Sequence, residues 1–406
     1  MYDVIIIGAG LGGMVASIEA AKKGLKTLLL EKNDRPGKKI LVSGGGQCNI
    51  SNAGSIDHFL RSYHEKEKFV GKSIRKYSPD LLKKWFEDID VSLEARDDLK
   101  IFPKTGRASG IVNALLKQIE QNKVEMHLCA SVQHIRKEHN QFLVRTGTQH
   151  FWGRNLIIAT GGKSYPALGT SGDGYRLASA LGHSLTEVRP ALAAIEVRSH
   201  CLMELAGMSF KKATVEHWRN EKKIGTYKGD LLITHDGLSG PVILNHSRYF
   251  EEGDILKLNL LSIQTDIYER KLLESTSKAG KKTVKNIVAD DDLPNRLIET
   301  IFFMAGISMQ QKCADLTKAQ RKKLVQLLTS FPLAISVVKG FNEAMVTAGG
   351  ISTNEVNSNT MESKLVSGLY FVGEILDVDG VTGGFNLQFS FSSGMAAAKA
   401  IIKSSQ

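Results

Sequence analysis

The residues that could bind a phosphate-bearing ligand lie near the start of the chain. Gly8, Gly10 and Gly13 match the pattern G-x-G-x-x-G, and Glu31 follows 18 residues after Gly13. After a strand, the first glycine permits a tight turn, the second lets the backbone approach a pyrophosphate, and the third lets a helix pack closely. The N-terminus of that helix provides N–H donors and partial positive charge. We interpret Glu31 as the acceptor of hydrogen bonds from an adenosine ribose.

Two later segments favour FAD over a nicotinamide dinucleotide. Residues 156–162 are typical of a strand ending in Ala-Thr-Gly-Gly, and residues 368–374 of a strand ending in Gly-Glu. One βαβ unit cannot hold a ligand as long as FAD, so its ribityl and isoalloxazine parts need further strand ends where glycine allows close approach. The Glu374 carboxylate suits a ribityl hydroxyl. Three such strand ends in this order resemble the glutathione-reductase-type FAD fold.

A separate nicotinamide-binding domain is not expected. Residues 169–174 are rich in glycine but follow a Tyr-Pro-Ala-Leu segment, not a buried strand, so they predict a loop before a helix at 174–182. The four cysteines are scattered and form no C-x-x-C pair, which argues against a disulfide reductase. Transient binding of NAD(P)H as an electron donor stays open.

The elements that must position these residues can be predicted from the apolar patterns. A strand at 3–8, a helix at 11–23 and a strand at 26–31 begin a doubly wound α/β domain. Residues 266–330 are predicted to be helical, and a strand at 369–373 and a helix at 393–403 complete the first domain. Beyond about residue 188, alternating and β-branched segments predict antiparallel strands, at 194–197, 213–218, 224–227, 230–234 and 255–260.

Five longer segments resemble the signature of the BaiN-like (YhiN-type) family of NAD(P)/FAD-dependent oxidoreductases. They are residues 38–52 (KKILVSGGGQCNISN), 234–241 (THDGLSGP), 347–351 (TAGGI), 373–380 (GEILDVDG) and 383–388 (GGFNLQ). The likeness extends from residue 1 to about residue 400. The family pattern usually has Arg at the position of Gln47 and Tyr at that of Phe385, so this chain departs from it at two positions.

The resemblance implies both an architecture and an activity. The fold class is α/β, with a Rossmann-like FAD-binding domain of the glutathione-reductase type at 1–187 and 346–406. An inserted antiparallel β-barrel would cover 188–265 and 331–345, and a small helical subdomain 266–330. The implied activity is hydride transfer between FAD and a small organic substrate. Family members include aminoacetone oxidases and reductases of conjugated carbonyl compounds, so amine oxidation and conjugated-carbonyl reduction both stay open.

The predicted FAD contacts come from the three strand ends, the glycine loop at 44–46 and the segment before the last helix. The glycine loop can aim backbone N–H groups at the cofactor, and the last helix directs its positive end at the flavin pyrimidine. The predicted cofactor-binding residues are Gly8, Gly10, Leu11, Gly13, Glu31, Lys32, Lys39, Gly44, Gly45, Gly46, Cys48, Asn49, Val132, Ala159, Thr160, Gly161, Gly162, Gly373, Glu374, Asp377, Gly384, Asn386, Leu387 and Gln388.

Three of these residues have an alternative, structural interpretation. Cys48 is interpreted as a small residue packed beneath the isoalloxazine, in preference to a redox thiol. Asn49 either caps a turn or bonds the flavin. Asp377 either supports the ribityl or pyrophosphate region or solvates its own loop.

His235 is the strongest candidate for catalysis, because it is the only histidine inside a glycine-rich motif. It would donate a proton or orient the substrate over the flavin; a structural histidine that bonds a turn is the alternative. Tyr165 and Thr347 are weaker candidates of the same kind. No histidines have a paired metal-ligand spacing, so no metal site is predicted.

The charge balance raises the question of a nucleic-acid partner. The chain has 53 Lys and Arg against 42 Asp and Glu, a net charge of +11, which suits an anionic ligand or nucleic acid. We favour solvated helix faces, because no recognised RNA- or DNA-binding motif accompanies the basic clusters. A flavin-dependent RNA-modifying enzyme and a non-catalytic flavin-bound sensor stay as alternatives. The clusters are Lys66, Lys68, Lys72, Arg75 and Lys76; Lys278, Lys281, Lys282 and Lys285; and Lys318, Arg321, Lys322 and Lys323.

The composition excludes a disordered chain, since 42% of the residues are hydrophobic and 23% are charged. No apolar run reaches the roughly 18 residues that a membrane helix needs. The scattered cysteines suit a reducing compartment, and the first residues lead directly into the glycine motif. We therefore expect a soluble, cytoplasmic protein, with its oligomeric state open.

Overall fold

Two compact units make up the structure. The computed structural model describes residues 1–147, 149–198, 204–291 and 293–406; Cys201, one of the scattered cysteines, lies outside the described residues. One unit comprises Met1–Ala191 and Phe341–Gln406, and the other comprises Leu192–Gly340. They are called the α/β unit and the barrel unit below.

The α/β unit contains a seven-stranded sheet. The strand order is β6-β2-β1-β9-β8-β7, and β18 also pairs with β9. β6, β2, β1, β9 and β18 run parallel, whereas β8 pairs antiparallel with β7 and β9. The strands are β1 (Tyr2–Ile7), β2 (Thr27–Leu30), β6 (Glu125–His127), β7 (Val132–Glu138), β8 (Gln141–Thr146), β9 (His150–Ile158) and β18 (Leu369–Phe371).

The central strands of this sheet are continuous apolar runs. Ile5 and Ile6 on β1 and Ile157 and Ile158 on β9 are completely buried. A parallel strand that is covered by helices on both faces has this pattern. β1 therefore lies in the middle of the sheet, and the glycine motif follows directly at its carboxyl end.

The helices of the α/β unit pack around its sheet, and its first helix follows the glycine motif. The first and last helices pack closely, because a Cβ on Gly394 would lie only 2.5 Å from the Gly12 carbonyl oxygen. The helices of the α/β unit are α1 (Leu11–Ala21), α2 (Lys38–Val42), α3 (Ile56–Arg61), α4 (Glu67–Lys76), α5 (Pro79–Glu87), α6 (Ala108–Gln121), α7 (Asp173–Ser179) and α13 (Phe385–Ser404).

Two small sheets complete the α/β unit. β3 (Ser51–Asn52), β5 (Lys100–Pro103) and β4 (Leu93–Ala95) form one of them, in the order β3-β5-β4. β10 (Arg189–Ala191) pairs antiparallel with β17 (Val346–Ala348). This last pair joins the two places where the chain leaves the α/β unit and returns to it.

The barrel unit is built on a closed antiparallel barrel in the order β11-β14-β13-β12-β15-β16. Closure leaves no strand edge unpaired. On β12, Ala213, Val215 and His217 are buried and alternate with more exposed residues, as expected for a strand with one inward face. The strands are β11 (Ile195–Val197), β12 (Ser209–Arg219), β13 (Lys222–Ile233), β14 (Gly237–Ser239), β15 (Ile255–Asn259) and β16 (Phe331–Val338).

Five helices pack against the barrel through a shared apolar core that includes Leu272, Phe302 and Leu328. Among the described residues, none of the helices combines the length and the apolar character needed to cross a membrane. The helices of the barrel unit are α8 (Pro241–Leu244), α9 (Thr265–Lys278), α10 (Val284–Ala289), α11 (Asn295–Ala305) and α12 (Lys318–Thr329).

The predicted fold class is confirmed, with a Rossmann-like α/β unit and an antiparallel barrel, but two predicted elements are wrong in extent. The strands expected at 224–227 and 230–234 form one strand, β13. The last helix begins at Phe385, not at residue 393. It starts early because Gly384 takes a left-handed conformation (φ +94°) and because Phe385 and Phe389 are buried in the core.

Candidate active site

The glycine motif forms the turn that the sequence predicts. Gly8 has a φ of +103°, and a Cβ at this position would lie 2.5 Å from the Ala159 carbonyl oxygen. A Cβ on Gly13 would lie 2.0 Å from the Gly8 carbonyl oxygen, so α1 can begin against the strand end only with glycine there. Gly10 faces open space, where a ligand's phosphates could approach the first N–H groups of α1.

Glu31 lies at the carboxyl end of β2 and is almost fully buried. Its Oε2 accepts the Ala9 N–H at 2.8 Å, and its Oε1 accepts the Asn33 N–H at 2.9 Å. The carboxylate therefore holds the glycine turn in place. Each carboxylate oxygen can still accept a second hydrogen bond, so binding of a ribose hydroxyl remains a proposal compatible with this geometry.

The other residues proposed for the adenosine end lie around Glu31. The Ala130 N–H donates to the Glu31 carbonyl oxygen at 2.8 Å, which brings the start of β7, with Val132, next to β2. Lys32 forms an ion pair with Asp173 at the start of α7 and donates to Ser171 at 2.5 Å. The loop at 169–174 is thereby tied to the end of β2, although no glycine motif predicted this link.

The second strand end, after β9, approaches β17. The Ala159 N–H donates to the Ile7 carbonyl oxygen at 2.8 Å, so the ends of β1 and β9 lie together. A Cβ on Gly162 would lie 2.4 Å from the Thr347 Oγ1. That oxygen accepts the Lys163 N–H at 2.8 Å and the Ser164 N–H at 3.1 Å. Thr347 is completely buried, so the geometry favours a positioning role for it over contact with a substrate.

The third strand end brings two lysine–carboxylate pairs into the site. Glu374 receives the Lys39 ammonium at 2.7 Å and the Thr347 N–H at 3.0 Å. Asp377 pairs with Lys66 at 2.5 Å, and the Asp377 side chain is nearly buried. The sequence predicted Lys39 and Asp377 as separate contacts; the structure shows that each is one half of an ion pair.

The glycine loop at 44–46 is exposed, and all three of its glycines have positive φ. A Cβ on Gly45 would meet no neighbouring atom, so this backbone is open to a ligand. Cys48 follows the loop and is completely buried, and burial raises the pKa of its thiol to about 12. A neutral, enclosed thiol is poorly suited to redox chemistry, and packing of Cys48 beneath the isoalloxazine stays a prediction.

One arginine near this loop was not singled out from the sequence. Arg96 donates to the Gln47 Oε1 at 2.6 Å, and its guanidinium lies 3.8 Å from the centre of the Phe102 ring. A guanidinium is thus present beside the position where the family usually has Arg. The sequence could not predict this contact, because Gln47 and Arg96 lie 49 residues apart, in different elements.

The first turn of α13 closes this side of the site. Gly384 lies against the β3 backbone, where a Cβ would be 2.3 Å from the Ser51 carbonyl oxygen. The Asn49 amide accepts the Gly384 N–H at 3.1 Å and donates to the Ser51 carbonyl at 2.9 Å. Asn49 therefore links the glycine loop to the helix start, in agreement with the turn-capping alternative.

Two amides of α13 are engaged within the protein. Asn386 accepts the Gly380 N–H at 2.8 Å and donates to the Gly380 carbonyl at 2.9 Å. Gln388 is completely buried and bonds Ser51 at 2.5 Å and the Tyr77 carbonyl at 2.9 Å. These bonds give both side chains a structural role. The N–H groups of the first turn, including that of Leu387, have no side-chain cap and can face a ligand.

Two buried hydroxyls test whether FAD fits this site. The Thr160 and Tyr175 oxygens have no hydrogen-bond partner among the described residues. Burial, and then the nearby charges of Glu374 and Asp377, raise the pKa of Tyr175, so its hydroxyl is a neutral donor. A buried hydroxyl without a partner is costly. FAD carries ribityl hydroxyls and phosphate oxygens that can complete such bonds, so the residues present fit the cofactor.

The remaining catalytic candidates lie in different units. Tyr165 has a left-handed backbone (φ +58°) and follows the second strand end. His235 is exposed in the turn between β13 and β14 of the barrel unit. Among the described residues, no cluster of His, Cys, Asp and Glu could hold a metal ion.

Comparisons with known proteins identify the family. The model of the HI0933-like protein Rossmann domain matches residues 2–400. The ribosomal RNA dihydrouridine synthase of Escherichia coli is 33% identical over 99% of this chain and 98% of its own length. The 3-dehydro-bile acid delta(4,6)-reductase of Clostridium scindens is 29% identical over 98% of this chain and 99% of its own length. This chain belongs to the HI0933-like family.

A solved structure agrees with this fold. The 3-ketosteroid delta1-dehydrogenase of Sterolibacterium denitrificans superimposes with a TM-score of 0.54 at 13% identity and covers 99% of both chains. At such low identity the likeness concerns the fold alone. The family confirms the predicted class, an FAD-dependent oxidoreductase.

Proposed function

We propose that this protein reduces a carbon–carbon double bond conjugated to a carbonyl group, and that its substrate is a uridine base in ribosomal RNA. One observation carries the proposal. Relatives aligned over the whole chain act on RNA and on a bile acid, yet both of their names describe the reduction of such a bond. In uridine the bond between C5 and C6 is conjugated to the C4 carbonyl. The reaction class is thus shared although the substrates differ.

The charge of the chain favours the RNA substrate. The net charge of +11 attracts a polyanion, because each neutralised phosphate releases condensed counterions. The sequence alone favoured a small organic substrate with RNA as the alternative; the relatives and the charge together reverse this preference. A small 3-oxo steroid with a conjugated double bond is the second candidate, supported by the bile acid reductase.

The residues of the α/β unit would bind the cofactor and control its charge. Reduced FAD, when bound, supplies a hydride equivalent from its N5 atom. Gly8, Gly10 and Gly13 let the backbone approach the pyrophosphate, and Glu374 and Thr160 present polar atoms to the ribityl chain. The uncapped first turn of α13 would supply partial positive charge to the reduced ring, which is anionic. Cys48, being neutral, adds no opposing charge there.

A proton must also reach the substrate, because hydride addition to C6 leaves negative charge on C5 and the C4 oxygen. A donor side chain is therefore needed close to C5. Tyr165 and His235 are the two donors that we propose, and Thr347 positions the loop that carries Tyr165. Loss of the true donor slows this step by about a hundredfold or more.

Anaerobic single-turnover experiments test the proposal. The holoprotein is reduced with NADPH or NADH and mixed with unmodified ribosomal RNA transcribed in vitro, or with progesterone as a conjugated 3-oxo steroid. We expect RNA to reoxidise the flavin and to contain dihydrouridine after nuclease digestion and mass spectrometry. Reoxidation by progesterone but not by RNA would favour the second candidate. Reoxidation by neither would exclude the proposed reaction.

Two variants separate the proton donors. Tyr165→Phe and His235→Gln are compared for the rate of flavin reduction by NADPH and for the rate of reoxidation by RNA. The donor variant should slow reoxidation and leave reduction unchanged, since no substrate proton is needed when the flavin receives hydride. If neither variant slows reoxidation, both assignments fail.

A further inference from the structure

The barrel unit brings two basic segments side by side. The Val284 N–H donates to the Gln311 carbonyl at 2.9 Å, and the Cys313 N–H donates to the Lys282 carbonyl at 2.9 Å. Thr283 and Lys312 also form an antiparallel bridge. The link between α9 and α10 therefore lies directly against the segment before α12. These segments are distant in sequence, and only the fold places their lysines together.

The lysines of this region are exposed and largely without opposite charge. Lys281, Lys282 and Lys312 are exposed and make no ion pair with any described residue. No acidic residue occurs between 278 and 289, and Asp315 is the only one between 312 and 323. A solvated helix face usually interleaves both signs of charge. The single carboxylate in these two segments, Asp315, therefore distinguishes this surface from such a face.

The start of α12 extends the same surface. Thr317 and Gln320 form a capping box, and Gln311 donates to the Gln320 Oε1 at 2.9 Å. The first turn of the helix is thus fixed against the segment that carries Lys312. Lys318 and Lys322 are exposed on α12 and make no ion pair with the described residues. The positive N-terminus of this helix adds to their field.

An exposed aromatic ring lies on α11, the helix whose last turn contacts the start of α12. Phe303 on α11 is 83% exposed, the highest value among the large hydrophobic residues described. The Gln320 side chain donates to the Gly306 carbonyl at 2.5 Å, which holds the last turn of α11 against the start of α12. An exposed aromatic ring and lysines without ion pairs on adjoining elements are the combination that binds unpaired nucleotides, by stacking a base and neutralising phosphates.

We propose that this surface, formed by Lys281, Lys282, Lys312, Lys318, Lys322 and Phe303 and called the basic face, binds the RNA substrate. The lysines contact backbone phosphates, and Phe303 stacks on an unpaired base. The inference rests on the proposed RNA substrate and adds the site at which RNA docks. It also assigns two of the three basic clusters a function; in the first cluster Lys66 pairs with Asp377, and its members on α4, Lys68, Lys72, Arg75 and Lys76, are left as a solvated surface.

Binding of transcribed ribosomal RNA by the holoprotein, measured over a range of salt concentrations, tests this assignment. The variant Lys281→Gln/Lys282→Gln/Lys312→Gln should bind at least about tenfold more weakly at low salt. Its slope of log affinity against log salt should fall by about 2, since each lost phosphate contact contributes about 0.7 on single-stranded RNA. Lys318→Gln/Lys322→Gln should show the same direction of change.

The matched control removes three charges from the cluster on α4, as Lys68→Gln/Lys72→Gln/Arg75→Gln. These residues are exposed and make no ion pair with the described residues, so the net charge changes equally. The control should bind RNA like the wild type. Equal weakening in both triple variants would show a general charge effect and would overturn the basic face as the docking site.

Phe303 is tested by its own pair of variants. Phe303→Ala should weaken RNA binding about fivefold or more, whereas Phe303→Tyr keeps a stacking ring and should bind normally. Far-UV circular dichroism and hydrogen exchange of the barrel strands β12 and β13 report whether the barrel unit of each variant is folded. If the wild type reduces RNA but the basic-face variants bind it normally, this inference fails and the proposed function stands. If the wild type binds no RNA at low salt, both fail.

Discussion

Glu31 combines two tasks in one side chain. Its two oxygens accept the N–H groups of Ala9 and Asn33, and Ala9 lies between the first two glycines of the motif. The acidic residue predicted to bind a ribose therefore also fixes the turn that receives the phosphates.

Glu31→Gln should destabilise the protein and weaken FAD retention together. The amide nitrogen cannot accept a hydrogen bond, so one of the two backbone N–H groups loses its partner, at a cost of about 1–3 kcal/mol. Urea unfolding and the flavin absorbance retained after gel filtration measure the two effects. Asp34→Asn, which changes an exposed carboxylate nearby, is the control. Equal losses in both variants would contradict the structural role of Glu31.

Cys48 should be inert to alkylation in the folded protein. Burial raises the pKa of its thiol to about 12, so the reactive thiolate is scarce throughout the neutral and mildly alkaline range. Cys129 is exposed and provides the internal comparison. Iodoacetamide at about pH 8 followed by peptide mass spectrometry should label Cys129 first and Cys48 only after unfolding. Labelling of both at the same rate in the native state would refute this.

At the scale of elements, the position at which α13 begins depends on the contact between Gly384 and β3. The helix begins at Phe385, and the Tyr63 hydroxyl donates to the Phe385 carbonyl at 2.7 Å. Gly384 precedes it with a positive φ and touches the Ser51 carbonyl. The position of the helix start, and with it the partial positive charge proposed to face the flavin, is set by this contact.

Gly384→Ala should therefore lower the free energy of unfolding by more than backbone strain alone would. A left-handed conformation costs an alanine about 1 kcal/mol, and at Gly384 the Cβ would also collide with the Ser51 carbonyl. Gly24→Ala is the matched control, because Gly24 has a φ of +81° but open space around it. Unfolding free energies and flavin content should both fall further for Gly384→Ala. Equal effects would remove the argument for a fixed helix start.

At the scale of the whole molecule, the described residues form two apolar cores. One core fills the α/β unit, and the other joins the barrel strands to α9–α12. Every proposed FAD contact lies in the α/β unit, whereas the basic face lies in the barrel unit. Cofactor binding and RNA docking are thus assigned to different units, which makes them separable by experiment.

Removal of FAD should loosen the α/β unit and leave the barrel unchanged. A ligand at 100 times its dissociation constant stabilises its binding unit by about 2.7 kcal/mol. Hydrogen exchange of the apoprotein should accelerate around Gly8–Gly13 and the start of α13, while β12 and β13 keep their protection. The holoprotein refilled with FAD is the control. Faster exchange in the barrel strands after FAD removal would contradict two independently stabilised cores.

Much of the fold and of the cofactor site could be predicted because its signals are local. The apolar run before Gly8, the glycine spacing and the carboxylate after β2 are read within a few residues, and each is required by backbone conformation or close approach. The closed barrel, by contrast, was implied by family resemblance; alternation alone indicated strands but not the pairing of β16 with β11.

The sequence by itself determined the class of the protein: a Rossmann-like FAD-dependent oxidoreductase, since turn chemistry and strand patterns depend on neighbours along the chain. The tertiary structure decided which side chains meet. It placed Arg96 beside Gln47, gave Gln388 and Thr347 internal partners, and joined Lys282 to the segment of Lys312. Such contacts join residues far apart in sequence. They depend on how the elements pack, which cannot be predicted from the pattern of neighbouring residues.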